Sequence, residues 1–242
     1  ITPGESSTIF IAPNYPYPCT SLQNYILSKN SNQYANVSVL GLTEGNRNIN
    51  IIEITDTDYN NSEKFKVFII AGQHVSGEEQ GVWNSNGIID FLLNETNPTA
   101  NKIRQDYIFK IIPLVDPDSS AMGRGRYGYN WLDPNRQWNF PNPNNFLSIN
   151  LTKNEIASFD PDLFIDLHGM ISNSDNQLYY PSSSNNNEVG IMNNISSYWL
   201  ETGSRVAQST IGLASVAIDN EYDILSLTIE TSISRTSSTG VR

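Results

Sequence analysis

The sequence contains little cysteine, little positive charge and no long apolar run, and each scarcity excludes a class of protein. Cys19 is the only cysteine in 242 residues, which excludes an internal disulfide framework and a zinc site built from cysteine pairs. Lys and Arg number 14 against 25 Asp and Glu, and the resulting net charge of −11 argues against binding to nucleic acid or anionic membranes. No window approaches about 18 consecutive apolar residues, so we expect no insertion into a membrane.

Asparagine, by contrast, is abundant. The chain has 31 Asn and only 6 Lys, and five N-x-S/T triplets begin at Asn36, Asn60, Asn94, Asn150 and Asn194. An acidic, Asn-rich and Lys-poor surface is more typical of exported than of cytosolic proteins, so the composition favours a secreted or cell-envelope location. The length suits one large α/β domain, and we expect a single domain over residues 1–242 that is a monomer.

Strand and helix patterns alternate along the chain. Residues 65–71, 107–115 and 163–167 are almost continuously apolar, as expected of strands that are covered on both faces of a sheet. Apolar residues recur at helical spacing over residues 78–93 and again over residues 189–206. This alternation predicts an α/β fold with a single doubly wound, mostly parallel mixed sheet and helices on both faces.

Candidate chemical groups lie at the ends of the predicted strands. The chain has two histidines, His74 and His168, and each follows a predicted buried strand. Glu230 directly follows another predicted strand, over residues 224–229. Ligands bind at the carboxyl ends of strands in such sheets, so the two histidines are better explained by a shared ligand than by unrelated structural roles. A hydrolytic zinc site commonly uses two His and one Glu, and both Glu78 and Glu79 offer that carboxylate.

Four segments together resemble a known family. In chain order they are AGQHVSGEEQGVW, DPDSSAMGRGRYGYNWLDPNRQW, FDPDLFIDLHG and LSLTIETS, and they extend over about residues 71–232. They resemble the zinc carboxypeptidases of the funnelin or carboxypeptidase A type, peptidase family M14. The resemblance implies the α/β fold of that family, one zinc ion as cofactor, and hydrolysis of the C-terminal peptide bond of a peptide.

The resemblance also implies a set of zinc ligands. His74 and His168 match the two zinc histidines of the family, and a glutamate shortly after the first histidine matches the third ligand. The family usually reads HxxE at this point, whereas this chain reads HVSGE and has one residue more. The downstream letters fit the family pattern E-x-x-G-x-W better from Glu78 than from Glu79, so Glu78 is the predicted ligand.

Further residues receive roles from the same resemblance. Asn135 and Arg136 match the residues that hold the C-terminal carboxylate of the substrate, and a guanidinium fork suits a planar carboxylate. Arg126 matches the group that polarises the scissile carbonyl and stabilises the oxyanion, with Arg124 as its main rival. Asp133 resembles the acid that orients the first zinc histidine.

Glu230 matches the general base of the family, which activates water at the zinc. The family often adds a tyrosine from a mobile loop. Tyr179, Tyr180, Tyr198 and Tyr222 are candidates here, and no local motif selects one of them.

These roles together predict a zinc-dependent metallocarboxypeptidase that acts on a peptide or a small acyl-amino acid. A related zinc amidohydrolase, deacylase or cell-wall peptide hydrolase is an alternative, because it would share the metal site and recognise a different substrate tail. A catalytically silent binding domain of the same fold is a third hypothesis. Only the additional residue between His74 and Glu78 supports it.

Overall fold

The computed structural model describes residues 16–139, 146–170, 176–181, 190–191, 193–197, 205–209 and 214–232. Residues 205–209 are described by their backbone alone. The helices of these residues include α1 (Cys19–Ser28), α2 (Glu79–Leu92), α3 (Pro98–Asp106), α4 (Pro117–Met122), α5 (Leu147–Phe159) and α6 (Ala214–Tyr222). The strands are β1 (Ala35–Leu42), β2 (Asn48–Ile54), β3 (Phe65–Ala71), β4 (Tyr107–Ile112), β5 (Leu163–Gly169), β6 (Gln177–Pro181), β7 (Arg205–Ser209) and β8 (Leu225–Thr231).

The described strands form one mixed sheet in the order β1-β2-β4-β3-β5-β8-β6-β7. The four central strands β4, β3, β5 and β8 run parallel, and β1 and β2 extend the sheet in antiparallel pairings on one side. On the other side β6 pairs antiparallel with β8 and parallel with β7. The predicted mixed α/β sheet is therefore confirmed, and its carboxyl edge lies at the parallel centre.

Helices cover both faces of the sheet. In β3, Val67 and Ile69 pack in one core together with residues of α1 and α2. Phe68 and Ile70, which alternate with them, pack in the second core against residues of α5 and α6. All four side chains are buried, which explains why β3 reads as a continuous apolar run rather than as an alternating one.

One predicted helix differs from the structure. The helical spacing over residues 189–206 includes Val206, but Val206 belongs to strand β7, while residues 193–197 are helical. Pairing with β6 decides the conformation of β7, and sequence spacing alone does not report that contact. In the part of the chain that the structure describes, no helix combines the length and apolar character needed to cross a lipid bilayer.

Candidate metal centre

A tight turn after β3 carries the first histidine. Gly72 has φ +72°, and a Cβ atom there would lie 3.0 Å from the Cα atom of Leu114, so the turn requires glycine. The backbone N–H groups of Gly77 and Glu78 then both donate to the carbonyl of His74, at 3.1 and 2.9 Å. This turn accommodates the additional residue between His74 and Glu78 and brings the two side chains together.

The side chains of His74, Glu78 and His168 converge at the carboxyl edge of the sheet. Glu78 precedes α2, and His168 lies on β5 next to β3. The Nδ1 atom of His74 is 3.1 Å from Oε1 of Glu78, and Nδ1 of His168 is 2.7 Å from Oε2. One potential ligand atom from each residue lies within 4.8 Å of the other two. Glu79, the rival glutamate, is the first residue of α2 and is not a member of this group.

A carboxylate contacts the outer ring nitrogen of each histidine. Oδ1 of Asp133 is 2.8 Å from Nε2 of His74, which is the contact that the sequence predicted. Oδ2 of Asp166 is 3.0 Å from Nε2 of His168. With both Nε2 atoms facing carboxylates, both Nδ1 atoms are directed at the common centre, as in metal sites where an acid fixes the tautomer of a ligating histidine.

Charge pairing shifts the pKa values of these groups. Burial alone would raise the pKa of Glu78, but its hydrogen bonds to His168 and His74 outweigh burial and lower it strongly. Burial would also lower the pKa of His74 and of His168, yet the neighbouring carboxylates raise both values. The centre therefore favours positive charge between its carboxylates.

This donor set fits a zinc ion. Two imidazole nitrogens and one carboxylate are the ligands that hydrolytic zinc sites commonly use. Zinc–ligand bonds of about 2.0–2.1 Å in a tetrahedron place ligand atoms roughly 3.3 Å apart. Each Nδ1 atom already lies 2.7–3.1 Å from one oxygen of Glu78, and one ligand atom from each of the three residues lies within 4.8 Å of the other two. A divalent cation would also satisfy the demand of the buried carboxylates for positive charge.

Arg126 lies beside the centre. Its Nε atom is 2.7 Å from Oδ2 of Asp133, and its Nη1 atom is 3.8 Å from Oε1 of Glu78, while 45% of its side chain stays exposed. The rival Arg124 donates instead to the carbonyls of Gly128 and Tyr129 at 3.1 and 2.6 Å. Arg124 therefore hydrogen-bonds within its own loop, and Arg126 is the arginine of the pair that contacts the centre.

The two predicted carboxylate-binding residues lie in different surroundings. Asn135 is buried: its Oδ1 atom accepts from the backbone N–H of Ala214 at 2.9 Å, and its Nδ2 atom lies 3.1 Å from Nε2 of His168. Arg136 is exposed and donates to the backbone carbonyl of Asn135 at 3.1 Å. The described contacts of Asn135 are thus to the protein, and its role toward substrate stays a prediction.

Glu230 lies on the strand next to His168. The two residues are register partners in the parallel pair of β5 and β8, so both side chains project from the same face of the sheet. Burial raises the pKa of Glu230 to about 7, the charges of Glu78 and Asp166 add to that effect, and the two histidines oppose it. The general base that the sequence predicted is therefore within the electrostatic reach of the centre.

Sequence reasoning missed Asp166 and Gln73. Asp166 is fully buried and precedes His168 by two residues on β5, so the two-residue period of a strand places both side chains on one face. That spacing could have identified Asp166. Gln73, which contacts both Asp166 and His168, gave no comparable signal, because its position depends on the turn at Gly72.

Of the four candidate tyrosines, Tyr198 lies outside the described residues. Tyr179 and Tyr180 lie on β6, and Tyr222 ends α6.

Comparison with known proteins identifies the family. The family profile described as zinc carboxypeptidase, Peptidase_M14, matches residues 24–187, which is more than half of the chain. The chain belongs to the zinc carboxypeptidase family. Cytosolic carboxypeptidase 2 of Mus musculus is 30% identical over 194 residues, covering 76% of this chain and 22% of the relative. Cytosolic carboxypeptidase 6 of Mus musculus is 32% identical over 164 residues, covering 64% of this chain and 30% of the relative.

Solved structures share the zinc carboxypeptidase fold. A metallo-carboxypeptidase from Burkholderia cenocepacia superposes with a TM-score of 0.82 at 23% identity, over 91% of this chain and 61% of that one. Carboxypeptidase A from Helicoverpa armigera gives a TM-score of 0.72 at 14% identity, over 97% of this chain and 69% of that one. At such identities the likeness extends to the fold alone.

Two facts limit what carries over from the relatives. The chain spans less than a third of the length of these curated cytosolic carboxypeptidases. Their names also specify a cytosolic location, which contradicts the secreted location that the composition of this chain predicts. The location of this chain itself stays a prediction.

Proposed function

We propose that this chain is a zinc-dependent carboxypeptidase that hydrolyses the C-terminal peptide bond of peptide substrates. The observation that carries the proposal is the convergence of His74, Glu78 and His168, with ligand atoms within 4.8 Å of one another at the carboxyl edge of the sheet. Membership of the zinc carboxypeptidase family supports the same metal and reaction class.

The geometry also weakens the case for a silent binding domain. That hypothesis depended on the additional residue between His74 and Glu78. The turn in which Gly77 and Glu78 donate to the carbonyl of His74 absorbs this residue, and Glu78 still contacts both histidines. The feature that suggested a broken site is therefore compatible with a complete one.

Each residue of the proposed site has a distinct task. His74, Glu78 and His168 hold zinc, which when bound supplies a Lewis acid that makes a water molecule acidic. Glu230 accepts the proton of the attacking water and returns it to the leaving amine. Arg126 donates to the oxygen of the scissile carbonyl as negative charge develops on it.

Arg136 is the proposed site for the terminal carboxylate of the substrate. It is exposed and can reach solvent, whereas the buried Asn135 fixes the backbone next to it. An exposed guanidinium can accept a planar carboxylate in a bidentate contact, which confers specificity for a free C-terminus.

The first test replaces Glu230 by Gln. The amide keeps the size of the side chain but cannot accept a proton, so we expect zinc content to be retained and kcat to fall by a factor on the order of 10² to 10⁴. In the unsubstituted enzyme, kcat/KM should decrease as the pH falls below the pKa of Glu230, which is about 7 before the charge of bound zinc lowers it. This acid limb should be absent in the variant.

His168→Ala is the matched control, since it should lose both activity and zinc. Activity of Glu230→Gln within a few-fold of the unsubstituted enzyme, at equal zinc content, would contradict the assigned base.

The second test compares blocked dipeptides with free and amidated C-termini. If Arg136 holds the carboxylate, hydrolysis should require the free acid, and Arg136→Ala should raise KM for it by more than tenfold, since a charge-assisted contact is lost. Equal hydrolysis of both peptides by the unsubstituted enzyme would favour the alternative of a broader zinc amidohydrolase.

A further inference from the structure

The outer nitrogen of His168 lies among three polar side chains. Its Nε2 atom is 3.0 Å from Oδ2 of Asp166, 3.1 Å from Nδ2 of Asn135 and 3.3 Å from Nε2 of Gln73. Only Asp166 offers an acceptor, while the two amide nitrogens are donors. The position of the ring proton therefore depends on which neighbour dominates, and a metal ligand at Nδ1 needs that proton on Nε2.

The orientation of the Gln73 amide is determined by the hydrophobic core. The indole N–H of Trp138 lies 2.8 Å from Oε1 of Gln73, and an indole nitrogen can only donate. The Oε1 atom of Gln73 must therefore face Trp138, and its Nε2 atom faces Asp166 at 3.0 Å from both carboxylate oxygens. Trp138 itself is fully buried, and Lys153 donates to its backbone carbonyl at 3.0 Å.

Trp138, Gln73 and Asp166 are all buried, so each must find its hydrogen-bond partners within the protein. Trp138 and Asp166 are completely inaccessible, and Gln73 is 1% exposed. A buried carboxylate requires donors: Gln73 donates to Asp166, and His168 donates to it as well when its ring proton is on Nε2. This second bond is charge-assisted and therefore stronger than a bond from a neutral amide to Nε2.

We propose that Trp138, Gln73 and Asp166 form a hydrogen-bond chain that fixes the ring proton of His168 on Nε2 and leaves Nδ1 free for the metal. Asp166 is then a positioning residue for the metal centre, and Trp138 determines the direction of the chain from within the core. The inference rests on the proposed function, because it assumes that His168 is a metal ligand.

The experiment begins with Asp166→Asn in the full chain. The substitution leaves three amide groups around Nε2, so the ring proton should move to Nδ1 and obstruct the metal. We expect the zinc dissociation constant, measured by competition with a chromogenic chelator, to rise about 10- to 100-fold. Trp138→Phe keeps an aromatic ring but removes the donor, and it should cause a smaller loss by releasing Gln73 to rotate.

The double variant Gln73→Glu with Asp166→Asn distinguishes the direction of the hydrogen bonds from the packing of the side chains. It moves the buried negative charge from one side chain to its neighbour and restores an acceptor next to Nε2 of His168. The carboxylate introduced at position 73 would accept from Trp138 and from the new amide, whose oxygen then faces His168. Zinc affinity should recover toward that of the unsubstituted protein. If Asp166 had only a structural role, the double variant should bind zinc at least as weakly as Asp166→Asn does.

The ring proton can be observed directly. The chain has two histidines, so ¹⁵N-labelled histidine gives a simple spectrum, and at a pH where the rings are neutral it reports which nitrogen carries the proton. Because Oε2 of Glu78 lies 2.7 Å from Nδ1 of His168 and can also accept the ring proton, the spectra are compared in the Glu78→Ala background. There we expect Nε2–H when Asp166 is present and Nδ1–H with Asp166→Asn. Trp83→Phe, at an indole on α2 that is 39% exposed, is the control for loss of an indole and should change neither readout.

The outcomes separate this proposal from the proposed function. Zinc affinity of Asp166→Asn within about twofold of the unsubstituted protein, with the proton still on Nε2, would overturn the hydrogen-bond chain while leaving the metal site intact. If the unsubstituted protein bound zinc no better than His168→Ala, the proposed function would fail. The spectrum of the metal-free protein would still decide where the proton lies.

Discussion

Asp116 is a buried carboxyl group that the proposed mechanism does not use. It precedes α4, and its Oδ1 atom accepts from the backbone N–H of Ser119 at 3.0 Å. Its Oδ2 atom has no hydrogen-bond partner among the described residues, and the residue is 3% exposed. Burial raises the pKa of Asp116 from its ordinary value of 3.8 to about 7, and the charges of Asp118 and Glu44 add to the effect of burial.

This raised pKa predicts a decrease in stability with increasing pH. Between pH 4 and 7 the folded protein keeps the proton that the unfolded chain has lost, so the free energy of unfolding should decrease as the pH rises, until the carboxyl ionises near pH 7. Asp116→Asn keeps the Oδ1 acceptor and cannot ionise. We expect it to remove this part of the pH dependence and to be more stable than the unsubstituted protein at pH 8.

The gain at pH 8 should stay below about 4 kcal/mol, the equivalent of the shift from 3.8 to about 7, because the new amide nitrogen lacks a partner. Urea unfolding at a series of pH values would measure it. Asp118→Asn is the control. It breaks contacts with Arg47, Thr43 and Gly45, so it should destabilise the protein. Identical pH slopes for Asp116→Asn and the unsubstituted protein would show that Asp116 ionises normally.

At the scale of elements, the distance between α2 and β5 determines the geometry of the centre. Glu78 precedes α2 and His168 lies on β5, and the helix contacts the strand at Gly81. A Cβ atom on Gly81 would lie 2.4 Å from the carbonyl oxygen of Leu167 and 3.3 Å from the Cα atom of His168. These are backbone atoms that cannot rotate away, so the glycine permits the approach on which the contact between Glu78 and His168 depends.

Gly81→Ala should therefore separate α2 from β5. We expect a loss of about 1–3 kcal/mol of stability, typical of overpacking, together with weaker zinc binding, because Glu78 moves away from His168. Thermal or urea unfolding and a chelator competition would measure the two effects.

Gly87 offers a matched control on the same helix. A Cβ atom there meets nothing within 4 Å, so Gly87→Ala should stabilise α2 by about 0.5–1 kcal/mol through helix propensity and leave zinc affinity unchanged. Equal effects of the two alanines would contradict the role assigned to close packing at Gly81.

At the scale of the whole molecule, the centre joins parts of the chain that are distant in sequence. Its three proposed ligands come from the turn after β3, the start of α2 and the strand β5, and two further acids, Asp133 and Glu230, approach from a loop and from β8. A bound cation therefore stabilises the folded arrangement and has no comparable site in the unfolded chain.

Removal of the metal should lower the melting temperature. Zinc at 100 times its dissociation constant contributes about 2.7 kcal/mol to the free energy of unfolding, and a chelator should abolish this contribution. Calorimetry with chelator, and again after zinc is restored, would measure a reversible shift. His168→Ala should show no shift, and an equal shift in that variant would place the stabilising metal elsewhere.

The sequence by itself was sufficient for the parallel centre of the sheet and for the three residues that converge at its carboxyl edge. Continuous apolar runs predict doubly covered strands because burial on both faces leaves no polar alternation, and β3, β4 and β5 confirm this. His74 and His168 follow from their positions at strand ends. Glu78 follows from the family pattern that starts at this residue.

Only the tertiary structure decided the surroundings of these three residues. The hydrogen bond from Trp138 to Gln73, which lies beside the centre, joins residues 65 positions apart, and no local pattern reports such a contact. The choice between Arg124 and Arg126 depended on which loop carbonyls each guanidinium meets. Val206 joined a strand rather than a helix because a neighbouring strand was available for pairing. Local periodicity reports which side chains are buried, whereas hydrogen-bond partners are determined by how the elements meet in space.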